Sequence, residues 1–590
     1  MFVKYFPILG WIKHYSYDDF ANDSVAAIVV TIMLIPQSLA YALLAGLPPE
    51  IGLYASIIPL VLYSIFGTSK TLAVGPVAVI ALMTFAACSK FANPGTTEFV
   101  SISIMIAILS GIILLVMGIL KLGFITNFLS HPVISGFITA SGLIIAASQL
   151  KHIFGVNGDG SNLVEISTNL FVNISDISVV TFFIGSASLL ILYWAKKNFK
   201  TFLIDLKISE FISDLVSRTG PIIAVILTTS FVWFFGLGEN YVSIVGSIPK
   251  GLPTIEFPEI TLDIFLELFI PALLISIVGY VETVSIAQTL AAKRREKIDH
   301  NQELIALGFS NFGSGLSGGL PVTGGFARSV VNFDAGAKTP AAGALTAIGI
   351  AFSTLFLTPL LYYLPKATLA ATIMIAVLSL VDFKSIFKVF SYSSADGVAM
   401  ISTIIVTLSF GVEIGIVSGV VLSILMFLYR TSTPHIAKVG QVPGTEHYRN
   451  VNRHMVVSSK KAICLRIDES LYFPNARFLE DSIYKSVINN KKIRHIIIMC
   501  SAINYIDSSA LESLEFINNR LNEAGVKLHL SEVKGPVMDQ LKRTNFLEEL
   551  TGEIYLTNFQ AFLKLDPELA QRALKLKYNS STLFNKIFEF

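Results

Sequence analysis

GGLPVTGGFARSVVNF, Gly318–Phe333, interrupts an apolar chain with paired glycines, one proline and a lone arginine, Arg328, set among small and aliphatic residues. Glycine and proline disfavour a continuous helix through the first half of this stretch, so a short broken helix follows, with Arg328 in its first turns. A helix that begins inside an apolar environment exposes unpaired N–H groups and the positive end of its dipole. TLAVGPVAVIALMTFAA, Thr71–Ala87, is a second piece of the same kind, broken at Gly75-Pro76.

Composition says which solvent surrounds these two pieces. Of 590 residues, 53% are hydrophobic and only 14% charged, against roughly 25% charged in ordinary soluble domains, and the mean hydropathy is +0.68. That balance defines an integral membrane protein in contact with lipid. A net charge of +2, with no Lys/Arg run outside short loops, gives nucleic acid no footprint. Cys88, Cys464 and Cys500 show neither CxxC nor Cys/His spacing, which indicates no disulfide framework and no zinc site and leaves them as core filler. The aromatic N-terminal stretch runs into Asp18 and Asp19 without a small-residue cleavage site, and reads as an amphipathic lead-in, not a signal peptide.

Apolar runs long enough to cross a hydrocarbon core as helices lie near 24–45, 50–66, 98–120, 132–150, 177–195, 220–237, 263–290, 303–319, 341–362, 367–380, 394–410 and 412–429. With the two broken pieces the total is about fourteen crossings. Short cytoplasmic loops collect Lys and Arg. With the N-terminus inside, those loops receive Lys70, Lys121, the cluster Lys196, Lys197, Lys200, Lys207 and Arg218, the cluster Lys293, Arg294, Arg295 and Lys297, then Lys338, Lys384, Lys388 and Arg430. The other side receives Lys90, Lys151, Lys250 and Lys366. Dropping either broken piece inverts everything downstream and ruins the asymmetry. The chain therefore reads as a cytoplasmic segment 1–22, a transmembrane region 23–432 and a soluble region 433–590.

Each broken piece is the third element of its half, the halves being 23–240 and 260–432. An odd number of crossings per half makes an inverted repeat, and short Gly/Pro-broken segments at matching places point to a midplane substrate site. Two helix N-termini facing each other there make a pocket for an anion, because lipid cannot satisfy their N–H groups. Close helix packing through small residues is the plainer explanation for one such segment. It accounts less well for two at equivalent places.

Ionisable residues deep in membrane segments are functional hypotheses by default. Arg328 sits in the first turns of the second broken helix, and its planar, permanently charged fork suits an oxyanion, a backbone carbonyl or Glu282. Glu282, within LLISIVGYVETVSIAQTLAA, precedes the basic cluster at Lys293. Opposite Arg328 it can exchange a proton as an anion enters or leaves, or form a fixed pair that locks two bundles together. Glu413, in FGVEIGI, reads as an interfacial cap, and Gln37, beside Pro36, as a binding or a packing amide.

From Thr431 the chain alternates strands and helices: AICLRIDESLYF, IRHIIIMCSAI, a helix opening at IDSSALESLEFINNRLNEAG, VKLHLSEV, and a helix from PVMDQLKRTNF. That is an α/β unit. Ser509 and Glu512 have capping-box spacing, and Ser508 beside them is either part of the cap or a phosphorylation site. Within this soluble region no glycine-rich phosphate loop, GxSxG or metal-ligand cluster occurs, so an enzyme is not expected.

PQSLAYALLAGLPPEIGLYASIIPLVLYSIFGTSKTLAVGPVAVIALM, GYVETVSIAQTLAAKRRE and TGGFARSVVNFDAGAKTP resemble motifs of the SulP, or sulfate permease, anion transporters, and NYIDSSALESL is similar to the STAS domain that ends most of them. The resemblance implies a helical membrane protein of the uracil-permease-like seven-plus-seven inverted fold, with core and gate domains, plus a small α/β STAS domain with a C-terminal extension. It also implies a homodimer, elevator-type alternating access and an anion held between two half-helices. Matched motif to motif, the substrate contacts are Gln37 and Tyr41 on the first helix, Gly75, Pro76 and Val77 at the first half-helix, and Gly325, Phe326, Ala327 and Arg328 at the second. Ala327 stands where relatives carry serine, which removes a hydroxyl. Glu282 falls at the acidic position prokaryotic members use for cation coupling, where glutamate favours H+ over Na+. Ser508 corresponds to a serine phosphorylated in related anti-sigma antagonists.

The expected function is secondary transport of a small inorganic or organic anion: sulfate first, then bicarbonate or a dicarboxylate. It is coupled to H+ or Na+, needs no other cofactor or metal, and is placed in a plasma membrane, the inner membrane of a bacterium, with both termini cytoplasmic. A cytoplasmic protein partner at the STAS domain is a further expectation. A nucleobase carrier on the same fold fits less well, and a membrane-bound STAS sensor and an anion channel are the competing classes.

Overall fold

A computed structural model describes residues 5–576 apart from 129, 159, 218, 239–240, 250, 254–261 and 489–491; Arg218, Lys250 and the C-terminal extension past residue 576 lie outside the described residues. The chain divides into two compact units, residues 1–423 and 424–590.

In the first unit, α1 (Tyr17–Leu44) begins with a capping box in which Ser16 and Asp19 satisfy each other's backbone N–H. It runs on through Pro36, which removes the N–H that would have reached the Ile32 carbonyl. The first half continues with α2 (Pro49–Tyr54), α3 (Ile58–Phe66), β1 (Val74–Gly75), α4 (Ala78–Cys88), α5 (Thr97–Ile119), α6 (His131–Phe154), α7 (Leu163–Val172), α8 (Val179–Asp205), α9 (Glu210–Ser217) and α10 (Gly220–Phe234). The second half holds α11 (Leu262–Lys293), α12 (His300–Leu316), β2 (Thr323–Gly324), α13 (Phe326–Asp334), α14 (Ala341–Phe356), α15 (Lys366–Leu378), α16 (Phe383–Tyr392), α17 (Ser394–Phe410) and the start of α18 (Val412–Ser432), whose last residues, from Ile424, belong to the second unit. Every apolar piece expected to cross is helical, and among the described residues eight helical stretches, counting α2 with α3 and α15 with α16, are long and apolar enough to span a membrane.

The halves interlock by exchange. Helix α1 packs on α13 while α11 packs on α4; α5 packs on α12 while α14 packs on α3; α6 packs on α17 while α8 packs on α15. Such reciprocal pairs are what an inverted repeat produces. They sort into two bundles: α1–α5 with α11–α14, and α6–α10 with α15–α18. The bundles touch where α15 and α10 meet α1 and where α4 meets α6. In the first bundle α5 and α12 approach through glycine: a Cβ at Gly111 would fall 2.5 Å from the Phe312 nitrogen.

One boundary differs from expectation. Helix α8 continues ten residues past 195, so Lys196, Lys197 and Lys200 lie on its last turns and not in a loop. Neither glycine nor proline occurs between Tyr193 and Asp205 to stop it. It ends where Lys207 takes a positive φ of 65°.

The second unit is a six-stranded sheet of order β4-β3-β5-β6-β7-β8, with β3 Ile436–Gln441, β4 Tyr448–Asn450, β5 Ala462–Ile467, β6 His495–Met499, β7 Lys527–Ser531 and β8 Ile554–Tyr555. Strands β5 to β8 run parallel, and β3 is antiparallel to both neighbours. The HIIIM run of β6 buries its central isoleucines because a hydrophobic cluster covers each face of the sheet. Helices α19 (Phe473–Ile488), α20 (Ser508–Glu523) and α21 (Gly535–Leu541) contribute to one cluster, α22 (Asn558–Leu565) and α23 (Pro567–Lys575) to the other. Cys464 and Cys500 are buried free thiols in these cores, and Cys88 is buried in the membrane unit. The capping box expected from Ser509 and Glu512 does not form: Asp507 caps α20, accepting from the Ala510 N–H at 2.8 Å. Aspartate two positions before Ser509 satisfies the orphan donors first.

Candidate functional site

The two broken pieces meet. Strands β1 and β2 pair antiparallel, Val74 with Gly324 and Gly75 with Thr323, and each leads directly into a half-helix, α4 or α13. Side chains and neighbouring backbone satisfy the lead-ins. The Gly325 N–H donates to the Ala73 carbonyl at 3.0 Å. Ala73 N–H donates to Ser329 Oγ at 2.9 Å, Gly324 N–H to Thr283 Oγ1 at 2.9 Å, and Val322 N–H to Asn311 Oδ1 at 2.8 Å. The half-helix N-termini themselves are left open. Neither Val77 at the start of α4 nor Gly325 at the start of α13 supplies a side-chain cap, so the first N–H groups of both point their partial charge outward.

Arg328 is 2% exposed and binds backbone on both sides of the junction. Its Nε donates to the Ala73 carbonyl at 3.1 Å, Nη1 to Pro76 at 2.7 Å and Nη2 to Thr323 at 3.3 Å. The guanidinium folds back over Gly325, where a Cβ would come within 2.6 Å of Nε. Of the roles the sequence left open, carbonyl partner is the one adopted: the charge stays at the junction while most of its donors are spent on backbone. The pairing with Glu282 does not form. Among the described residues the Glu282 carboxylate takes no hydrogen bond; it lines a cavity of about 370 Å³.

Of the sequence-derived residues, Glu282 and Phe326 line that cavity. Val79 and Phe326, in the first turns of the two half-helices, line it together with Glu282, Ser285 and Val278 of α11 and Phe137 of α6. Phe326 is 47% exposed, and Ala327 beside it is also open. The cavity extends to His131 and Asp382, at the end of the bundle that carries the basic loops. Gln37 and Tyr41 are buried on α1, which packs on both half-helices. Among the described residues neither side chain has a protein hydrogen-bond partner, which keeps an amide and a hydroxyl available. Gly75 and Pro76 are buried within the junction, and Val77 is half-buried beside it. Ser508 belongs to the other unit, exposed at the first position of α20.

Two features escaped the sequence. Glu303 was only the first residue of an expected span, yet it is fully buried and accepts from Tyr63 Oη at 2.8 Å, Thr68 N–H at 2.8 Å, Thr68 Oγ1 at 2.5 Å and Ser69 N–H at 3.2 Å. It ties down the loop that leads into β1. An acid in NQELIALG, embedded in apolar sequence, was the available signal. Glu413 is more than a cap: it forms an ion pair with Lys90 at 2.8 Å, joining the end of α4 to the first turn of α18.

Comparisons with known proteins agree with this architecture. The model of the Sulfate permease family matches residues 20–403, and that of the STAS domain matches residues 453–561. The chain is 35% identical over 556 residues to Sulfate transporter 4.1, chloroplastic, of Arabidopsis thaliana, covering 92% of this chain and 80% of that one. It is 31% identical over 590 residues to High affinity sulfate transporter 2 of Stylosanthes hamata, covering 96% and 87%. Among solved structures, murine Solute Carrier 26 family member A9, described as an anion transporter in the inward-facing state, superposes with a TM-score of 0.84 at 23% identity, covering 95% and 94%. The transmembrane domain of a cyanobacterium bicarbonate transporter, BicA, gives a TM-score of 0.58 at 20% identity, covering 69% and 98%.

Proposed function

The chain belongs to the sulfate permease family, and on that premise we propose that it is a secondary transporter of a small oxyanion, sulfate before bicarbonate or a dicarboxylate. The observation that carries this reading is the pair of uncapped half-helix N-termini whose first turns share one cavity. Two dipole ends and a buried guanidinium set a positive potential there without placing a mobile cation in the path. The anion takes hydrogen bonds from the N–H groups at Val79 and Ala327 and from Gln37 and Tyr41. Arg328 supplies charge and holds the junction. Ala327 offers a backbone donor without a hydroxyl, so selectivity rests on charge and size more than on side-chain recognition. Relatives named as sulfate transporters support the first choice of substrate.

Glu282 faces the cavity unpaired and is the group we assign to coupling, carrying a proton with the anion. In this scheme the bundle holding both half-helices slides against the other, exposing the site on alternate sides. Labelled sulfate uptake into liposomes containing the purified full chain tests the reading, with bicarbonate, chloride and fumarate as competitors and imposed pH or Na+ gradients. Saturable sulfate accumulation driven by a proton gradient is the expected result. Uptake that never saturates, with stepwise conductance, would make the protein a channel, and absence of flux from any anion would leave a sensor.

A further inference from the structure

At one end of the STAS sheet a cavity of about 280 Å³ gathers Arg449, Arg453, Arg466, His435, His454 and Asp468. The strand register brings them together. Ala437 pairs with Arg466 across β3 and β5, and two residues further along the Asp468 N–H donates to the His435 carbonyl at 3.1 Å. His435, Arg466 and Asp468 therefore emerge on one face. Beyond β4 the Asn450 carbonyl accepts from the N–H groups of Arg453 and His454 at 3.1 and 3.0 Å, a turn that carries both side chains to the same cavity.

The charges do not cancel. Asp468 accepts from Arg466 Nε at 2.5 Å and Nη2 at 3.0 Å, and lies 2.7 Å from His435 Nδ1. These contacts hold its carboxyl below the usual carboxylate range, even though partial burial opposes them. Arg449 gives one N–H to the Tyr448 carbonyl at 3.2 Å, and among the described residues Arg453 makes no side-chain hydrogen bond. Three guanidiniums against one carboxylate leave an excess of two positive charges on the lining.

We propose that this cavity binds a phosphate monoester or inorganic phosphate in its monohydrogen form. The Arg453 fork and the remaining N–H donors of Arg449 suit a tetrahedral dianion. A carboxylate has about four lone-pair sites, and Asp468 uses three, so one remains to accept the phosphate's own O–H. Sulfate brings no such proton and meets that carboxylate as a repulsion. The phosphate can come from solution or from an anionic lipid headgroup, since both present the same phosphate chemistry.

Binding of radiolabelled inorganic phosphate to the detergent-solubilised full chain, read by equilibrium dialysis, tests the proposal. The R449Q/R453Q variant should lose affinity about tenfold or more. In Asp468→Asn, sulfate should compete about tenfold better than in the wild type. This gain cannot come from misfolding. Nanodiscs containing phosphatidic acid or phosphatidylcholine separate the sources. Retention of phosphatidic acid by the wild type and its release from R449Q/R453Q, with soluble phosphate unaffected, assigns the site to a headgroup. Equal retention of phosphate and of phosphatidic acid by wild type and double variant overturns the proposal, as does sulfate competing as well as phosphate in the wild type.

Discussion

Arg328 of one half-helix donates through Nη1 to the carbonyl of Pro76, which leads into the other, at 2.7 Å. A lysine keeps the charge but cannot reach the Ala73, Pro76 and Thr323 carbonyls together. Arg328→Lys is expected to give a monodisperse protein whose sulfate uptake falls about tenfold or more. Arg328→Ala strands buried carbonyls and should sharply lower the yield of folded protein. Size-exclusion profiles and liposome uptake check both.

Glu282 lines the cavity without a protein partner, so Glu282→Gln removes an ionisable group at little structural cost. Sulfate accumulation under an inward proton gradient should drop to the level seen without one, while exchange of internal for external sulfate persists. Gradient-driven accumulation equal to wild type would remove Glu282 as the coupling group.

Glu303 accepts from four donors on the loop and helix before β1. Glu303→Ala leaves those donors buried and unmatched, a loss of roughly 3 kcal/mol or more. Thermal unfolding of the detergent-solubilised protein should move down by several degrees, and uptake should fall with it because the lead-in to the first half-helix loosens.

The Lys90–Glu413 pair joins the two bundles on the side away from the basic loops. Lys90 is 54% exposed, so the pair contributes modestly, about 0.2–1 kcal/mol. Glu413→Gln should shift accessibility accordingly. A cysteine placed at Ala327 is expected to react about two- to fivefold faster with an impermeant thiol reagent added from that side.

His529 in the STAS sheet is 2% exposed, and its Nδ1 accepts from the Glu553 N–H at 2.9 Å while Nε2 lies 3.1 Å from His495 Nδ1. Burial first, and then the neighbouring His495, lower its pKa from 6.5 to about 4, partly offset by Glu553. The unfolded chain therefore binds the proton more readily than the folded one. The stabilisation is complete above the unfolded value of 6.5 and is lost as pH falls toward about 4. The loss amounts to roughly 2–3 kcal/mol. Amide exchange in β6 and β7, corrected for intrinsic rate, should accelerate through that window in the wild type and much less in His529→Gln.

Much of this was legible because glycine and proline act locally. Gly75-Pro76 and the glycines around Pro321 mark helix starts inside apolar sequence whatever packs around them, and the alternation of basic loops orders the crossings between them. What stayed hidden depends on partners distant in the chain. Glu303 lies 235 residues from Thr68, and Lys90 lies 323 residues from Glu413, so no spacing rule relates them. Arg328 was found by its charge, but its choice of carbonyls over a carboxylate follows from a backbone crossing that only folding creates. Helix α19 went unmarked for a different reason: Ala476, Leu479 and Ile483 are its buried apolar stripe, too narrow to stand out beside the isoleucine-rich strands.

Val74 and Gly75 are laced to Thr323 and Gly324 by a ladder only two residues long. Sequences a quarter of a thousand positions apart thus become one mechanical part, and the ladder forbids either half-helix from departing alone. In the proposed transport cycle, any driving force, including membrane voltage, acts on the summed charge of that cassette with its cargo aboard. A dianion travelling with one arginine and a protonated glutamate would leave about one negative charge, half the anion's own, to haul across the field.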